Sequence, residues 1–178
     1  MSAPPTSAVH TPVMPEGPLT LARTLRFDAS DENVFDPAAE PGEWAISGAF
    51  AFSNLAEADL AGPVRQAFAN GWLGLESFGR ATFVATAPIE PSEYAAQVEI
   101  LAAHFVAQYG APDLDAARPV AAEELAFMAS ICADHDANTL LVVERSLVEA
   151  GVNEAFRAIR PREATLDLVA VHGSADPD

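Results

Sequence analysis

The residues with the clearest potential for chemistry lie at the end of the second long predicted helix. Cys132 and His135 are three residues apart, so their side chains would share one helix face. A thiolate and an imidazole are both zinc ligands. His104, on the preceding predicted helix, is the natural third ligand. We therefore predict a divalent-metal site made of His104, Cys132 and His135. In the alternative interpretation, Cys132 is a small buried hydrophobe and His135 belongs to a polar helix exit.

Cys132 as a nucleophile is a weaker hypothesis. A reactive thiol needs nearby positive charge or a helix N-terminus to lower its pKa. Cys132 lies near a predicted helix C-terminus and among acidic residues, which raise the thiol pKa instead. No glycine-rich phosphate loop and no G-x-S-x-G segment occurs in the chain. We therefore predict no catalytic residue and no cofactor other than the divalent metal.

Arginines form a second candidate site. Arg157, Arg160 and Arg162 lie within six residues, with Arg145 a short way upstream. Guanidinium groups bind carboxylate or phosphate groups in a fork geometry. This predicts that Arg145 and Arg157 meet a small anionic ligand. In the alternative, which we favour because acidic residues are so numerous, these arginines pair with neighbouring glutamates.

The segment 71–79 carries four large apolar side chains between three glycines. They are Trp72, Leu73, Leu75 and Phe78. Exposed, they would form an interface with a protein partner or a second copy of the chain. Buried, they would plug an open end of the sheet, and we favour this alternative because aromatic side chains dominate ordinary cores.

Charge excludes several classes of protein. The chain has 178 residues, with 26 acidic against 9 basic residues and a net charge of -17. All nine basic residues are Arg. Such a charge repels phosphate, so we expect neither nucleic acid nor an anionic membrane as a partner. The single Cys and the lack of a signal peptide at the N-terminus favour the cytoplasm.

Hydrophobic patterns predict an α+β fold. Strands are predicted from Leu19, across 43–54, at 80–87, at 140–143 and at 166–171, and helices at 57–70, 92–109 and 120–134. For 146–159 we favour a helix over an edge strand, although both periodicities are present. Residues 111–119 are a predicted linker. This order predicts a single layer of mostly antiparallel sheet, with about five strands and helices packed on one face.

The domain organisation is simple. Residues 1–18 are rich in Pro, Ser and Thr, which favours a flexible N-terminal arm. We predict that residues 19–172 form a single α+β domain and that residues 173–178 form a frayed tail.

Three stretches carry a family resemblance: RTLRFDASDENVF, EWAISGAFAF and GWLGLESFGRATFVA. They resemble a family of uncharacterised proteins, mostly from alphaproteobacteria, that share a domain of unknown function. The resemblance covers about residues 19–172. It implies a small cytoplasmic accessory protein and supplies no active-site residue.

Three functions remain open. We favour a non-catalytic accessory or binding protein, with a protein partner or a homodimer. The alternatives are a metal-dependent enzyme with a His/Cys site and a carrier of a small anionic ligand. The polar side chains show no assembled acid–base or nucleophile set, and this favours the first.

Overall fold

A computed structural model describes residues 18–27 and 30–159 of the chain. These residues form seven strands, four α-helices and two short 3₁₀ turns. The elements are β1 Thr20–Leu25, α1 Ser30–Val34, β2 Trp44–Ile46, 3₁₀ turns Ala49–Phe52 and Glu57–Asp59, α2 Gly62–Asn70, β3 Trp72–Gly74, β4 Arg80–Ala81, β5 Phe83–Pro88, α3 Pro91–Gln108, α4 Leu114–Ala133, β6 Leu140–Val148 and β7 Gly151–Ile159.

The seven strands form one sheet in the order β4-β3-β2-β1-β5-β6-β7. Every neighbouring pair is antiparallel. The predicted α+β class is confirmed, with seven strands in the described residues against about five expected. β3 and β7 lie in segments for which no strand was favoured, and the strand predicted at 80–87 divides into β4 and β5.

The sheet curls into a half-barrel. Trp72 on β3 and Phe156 on β7 have ring centroids 5.7 Å apart, although four strands lie between them in the sheet. Side-chain contact across such a distance in strand order requires the two ends of the sheet to approach each other. Strand twist makes this curvature possible. The two ends therefore meet through side chains instead of backbone hydrogen bonds.

The long helices α3 and α4 pack on each other, and α4 packs on β1 and β2. The buried core joins side chains of both helices to those of the inner sheet face, with Leu101, Leu125 and Met128 fully buried. The shorter α2 packs against β6. Neither long helix, nor any other helix in the described ranges, is long and apolar enough to cross a bilayer.

The favoured helix over 146–159 is wrong. β6 continues through Val148, two residues turn the chain, and β7 pairs with β6 from Val148↔Gly151 to Leu140↔Ile159. Gly151 has a φ of 129°, a conformation that suits glycine in a tight hairpin. The alternation of Val152, Glu154 and Phe156 marked an edge strand, and pairing with β6 decided between the two periodicities.

Two other boundaries differ from the prediction. Helix α4 begins at Leu114 inside the predicted linker, because the Asp113 side chain accepts a hydrogen bond from the backbone N–H of Ala116 at 2.8 Å and caps the helix. The strand predicted over 43–54 is shorter in the structure, where β2 ends at Ile46. Gly48 then takes a φ of 72° and leads into a 3₁₀ turn. The predicted arm 1–18 (apart from Pro18), the strand 166–171 and the tail 173–178 lie outside the described residues.

Candidate anion-binding site

Two buried arginines join the approaching ends of the sheet. Arg80 lies on β4 and Arg145 on β6. Both donate hydrogen bonds to the backbone oxygens of Ser47 and Gly71. Both guanidinium groups also lie over the Phe52 ring, at 4.6 and 5.4 Å from its centroid. The two cations therefore share backbone acceptors and one aromatic face, which stabilises positive charge.

Arg145 uses all of its donors within the protein. Its Nε donates to Glu154 at 2.9 Å. Its Nη1 donates to the carbonyl oxygens of Ala67 and Phe68 in the last turn of α2, as well as to Gly71. The Ala67 carbonyl also accepts the backbone N–H of Gly71, so the guanidinium adds a second donor there and caps the end of the helix. Arg145 is therefore a structural residue that fastens α2 to β6.

Arg80, in contrast, has donors left over. An arginine has five N–H bonds. Nη1 of Arg80 donates to Ser47 and Gly71, and Nη2 donates to the carbonyl of Gly48 at 3.0 Å. No other acceptor for Arg80 occurs among the described residues. Nε–H and one N–H of Nη2 therefore remain for a ligand.

The Arg80 charge is poorly balanced. Burial, followed by the neighbouring Arg145, lowers the pKa of Arg80 to about 9. At neutral pH the group is still a cation. The one carboxylate bonded to this pair, Glu154, is held by Arg145 and by the Ser47 hydroxyl. The two guanidinium groups thus leave a local excess of positive charge in an acidic protein.

Arg80 lines an open cavity of about 390 Å³ between the β3–β4 turn and the end of α3. Its other lining residues are Leu73, Phe78, His104, Gln108 and Tyr109. A volume of this size falls within the range of small-molecule sites, about 300–1,000 Å³. The lining combines one cation, an amide, a hydroxyl and three aromatic rings, a composition typical of a pocket for an anionic organic molecule.

The Phe78 and His104 rings form a parallel stack in the wall of this cavity. Their centroids are 3.7 Å apart and their planes differ by 4°. Tyr109 lies 5.5 Å from His104 at an angle of 58°. Burial lowers the pKa of His104, so the imidazole is neutral at pH 7. The stack therefore places two uncharged aromatic rings in the cavity wall.

A buried carboxylate holds the turn that carries Phe78. Glu43 is 2 % exposed and accepts hydrogen bonds from the backbone N–H groups of Glu76 and Ser77 at 2.9 and 2.6 Å, and from the Ser77 hydroxyl at 2.6 Å. Within this turn Phe78 has a φ of 55°, which is unfavourable for a bulky residue. The turn is thus fixed in a strained form that directs the Phe78 ring onto His104.

The predicted metal ligands occupy different environments. His104 stacks on Phe78, Cys132 is fully buried in α4, and His135 is half-buried just beyond that helix. Burial raises the pKa of the Cys132 thiol to about 12. In the described part of the chain, no three side chains of His, Cys, Asp or Glu converge as a metal site requires.

Arg145 and Arg157 do not face a common ligand. Arg145 pairs with Glu154 across the β6–β7 ladder, whereas Arg157 pairs with Val142. Val142 and Arg145 are three residues apart on one strand, so their side chains point to opposite faces of the sheet. Arg157 is exposed, with Nη2 3.6 Å from the Glu144 carboxylate. Arg80, and neither of these two arginines, lines the cavity of about 390 Å³.

The predicted interface residues lie mainly inside the fold. Trp72, Leu73 and Leu75 are 0 %, 4 % and 1 % exposed, and Phe78 is half-buried against His104. These side chains plug the end of the sheet, as the burial alternative expects. They leave only part of the Phe78 ring for a contact surface.

Sequence reasoning missed Arg80, Gln108 and Tyr109. One signal was available for Arg80, which is the single charged residue in the otherwise uncharged run 77–89. A charged residue is seldom fully buried without partners, so its place there marks a polar network or a site. Gln108 and Tyr109 carry no such signal, because polar residues at the end of a helix are ordinary.

Comparison with known proteins gives a family and no function. No curated protein and no solved structure matches the chain. A family model described as a family of unknown function, DUF6505, matches residues 19–177. This confirms the predicted membership of an uncharacterised family, and the match includes the whole of the predicted domain 19–172. The chain therefore belongs to the DUF6505 family.

Proposed function

We propose that this protein is a non-catalytic binding protein that holds a small organic anion in the Arg80 cavity. The observation that carries the proposal is the buried Arg80 guanidinium, which has two N–H groups without an acceptor among the described residues and lines a cavity of about 390 Å³. A carboxylate or phosphate oxygen is the natural acceptor for such donors.

Electrostatics supports an anion at this point. Arg80 is destabilised as a cation by its burial and by Arg145. A bound anion would offset both effects, since opposite charge at short range favours the charged form of a buried group. The surrounding acidic surface weakens nonspecific anion binding, so selectivity comes from the cavity.

Among residues 18–27 and 30–159 no reactive set is assembled, which favours binding over catalysis. Cys132 is a fully buried thiol whose pKa is raised to about 12, and a nucleophile requires the thiolate. His104 lines the cavity, but its ring is stacked face to face on Phe78 and no described carboxylate orients it. Such groups suit recognition. We also propose that the protein lies in the cytoplasm, where a buried free thiol stays reduced.

The test is binding of a simple carboxylate. Benzoate titrated into the wild-type chain should shift the NMR signals of the Gln108 side-chain amide and the His104 ring at millimolar concentrations or below, while signals around Cys132 stay unchanged. This measurement needs no variant and therefore no assumption about folding. Shifts that are absent, or spread evenly over the surface, would contradict the proposal.

Two variants separate the site from general charge effects. Arg80→Gln should abolish the binding of benzoate. Arg157→Gln removes the same charge from an exposed position on the sheet and should leave binding within twofold of the wild type. Equal losses in both variants would indicate attraction to net charge and would overturn the assigned site.

A further inference from the structure

We infer that the ligand of the Arg80 cavity is a planar aromatic carboxylate and that Phe78 determines this specificity. The inference rests on the proposed anion site and deepens it. Arg80 supplies the charge contact, and the rings of Phe78, His104 and Tyr109 line the same cavity. An aromatic ligand can pair with such rings in stacked or edge-to-face contact, which a saturated ring cannot make.

The strain at Phe78 points to a role for its ring. The residue sits at a φ of 55°, where Gly or Asn fits at lower cost. The Glu43 carboxylate holds this turn through the N–H groups of Glu76 and Ser77. A bulky aromatic residue in a fixed, strained turn is typical of a functional position, where the ring is needed and the backbone cost is tolerated.

A third ring in the cavity wall agrees with an aromatic ligand. Tyr109 is inclined at 58° to His104 and is itself held edge-to-face by Phe50 and Phe105, at 5.3 and 5.9 Å. The Tyr109 ring is therefore fixed in a second wall. Leu73 adds an apolar contact in the same cavity.

The charge of the ligand follows from two features of the cavity. Arg80 is the one guanidinium among its lining residues, and Gln108 and Tyr109 place the C-terminal end of α3 beside it. The C-terminal end of a helix carries partial negative charge. A second negative charge on the ligand would be repelled there, so a carboxylate fits better than a doubly charged phosphate.

The experiment compares two carboxylates of similar size and equal charge. Benzoate is planar and cyclohexanecarboxylate is puckered. Calorimetric titration of the wild-type chain should show benzoate binding about five-fold more tightly, the scale of a favourable aromatic pair. In Phe78→Leu the ratio of the two dissociation constants should fall to about one. Phe27→Leu makes the same change in an exposed ring outside the cavity and should keep the preference.

Each outcome separates the two proposals. If neither carboxylate binds, the proposed function fails. If both bind equally to the wild type, the anion site stands and the aromatic specificity is overturned. If Phe78→Leu weakens both ligands by the same factor, Phe78 has a structural role only. Tighter binding of phenyl phosphate than of benzoate would overturn the assignment of a carboxylate.

Discussion

Arg80 and Arg145 donate hydrogen bonds to the same two backbone oxygens, those of Ser47 and Gly71. Their strands are separated in the sheet by β3, β2, β1 and β5. The shared acceptors therefore connect the two ends of a curled sheet that has no backbone pairing there. Arg145 has an acceptor for each of its N–H groups and connects α2, β6 and the Ser47 backbone. Arg80 keeps two N–H groups without an acceptor among the described residues.

Replacing Arg145 should destabilise the protein strongly. Arg145→Met removes the guanidinium that donates to Glu154 and to the carbonyl oxygens of Ala67 and Phe68. Removing one partner of a buried ion pair costs about 3–5 kcal/mol, and relief of the repulsion with Arg80 offsets part of this. Urea unfolding gives the free energy. Arg157→Met, at an exposed position, should change it by no more than about 0.5 kcal/mol. Equal effects would contradict the structural role of Arg145.

Gly48 should tolerate no side chain. A Cβ there would lie 2.6 Å from Cβ of Leu73 and 2.8 Å from Nη1 of Arg80. Gly110 has nearly the same φ, 74° against 72°, but nothing lies within 4 Å of its Cβ position. Gly110→Ala should therefore cost about 1–2 kcal/mol from backbone strain alone. Gly48→Ala should cost at least about 1 kcal/mol more, because the clash adds to the same strain. Thermal unfolding of both variants measures the difference.

The Cys132 thiol should be inert in the folded protein. It is fully buried, and burial raises its pKa to about 12, so almost no thiolate is present at pH 8. Labelling with a disulfide reagent should proceed only through opening of the structure. The rate should rise by orders of magnitude in denaturant. Fast labelling of the native chain at pH 8 would show that the thiol is accessible.

Acid should weaken the fold through His104. Burial lowers the pKa of His104 below 6.5, so near that pH the unfolded chain binds more protons than the folded one. Stability therefore rises with pH across this window, and the contribution is lost as the pH falls from 6.5 through the folded pKa. His104→Phe keeps a ring against Phe78 and removes the titration. Its unfolding free energy should vary less between pH 7 and pH 5 than that of the wild type.

A second group gives an internal control for this titration. Burial, followed by Glu154 and Glu123, raises the pKa of Glu124 above 4.5. The folded state then holds the extra proton, so this contribution is lost as the pH rises through the folded pKa. The contribution of Glu124 to the free energy of unfolding therefore falls with rising pH, whereas that of His104 rises. Glu124→Gln should therefore remove a fall in stability with rising pH, and a change of the same sign as in His104→Phe would contradict the assignment.

Local patterns predicted the helices well. Leu101 and Phe105 lie four residues apart on one face of α3, and both are buried there. The helix predicted at 57–70 is present as α2 from Gly62, with Pro63 in its first turn, where proline is tolerated. Such signals depend on the nearest few residues, so they can be read without the fold.

The sequence by itself determined the α+β class, the acidic character and the main helices, because these follow from composition and short-range periodicity. Only the tertiary structure decided which arginine meets the cavity. That choice depends on the register of β6 against β7, which turns Arg157 outward, and on the curl of the sheet, which brings Arg80 of β4 beside Arg145 of β6. Contacts between residues 65 positions apart are set by packing of the whole chain, and no local pattern carries them.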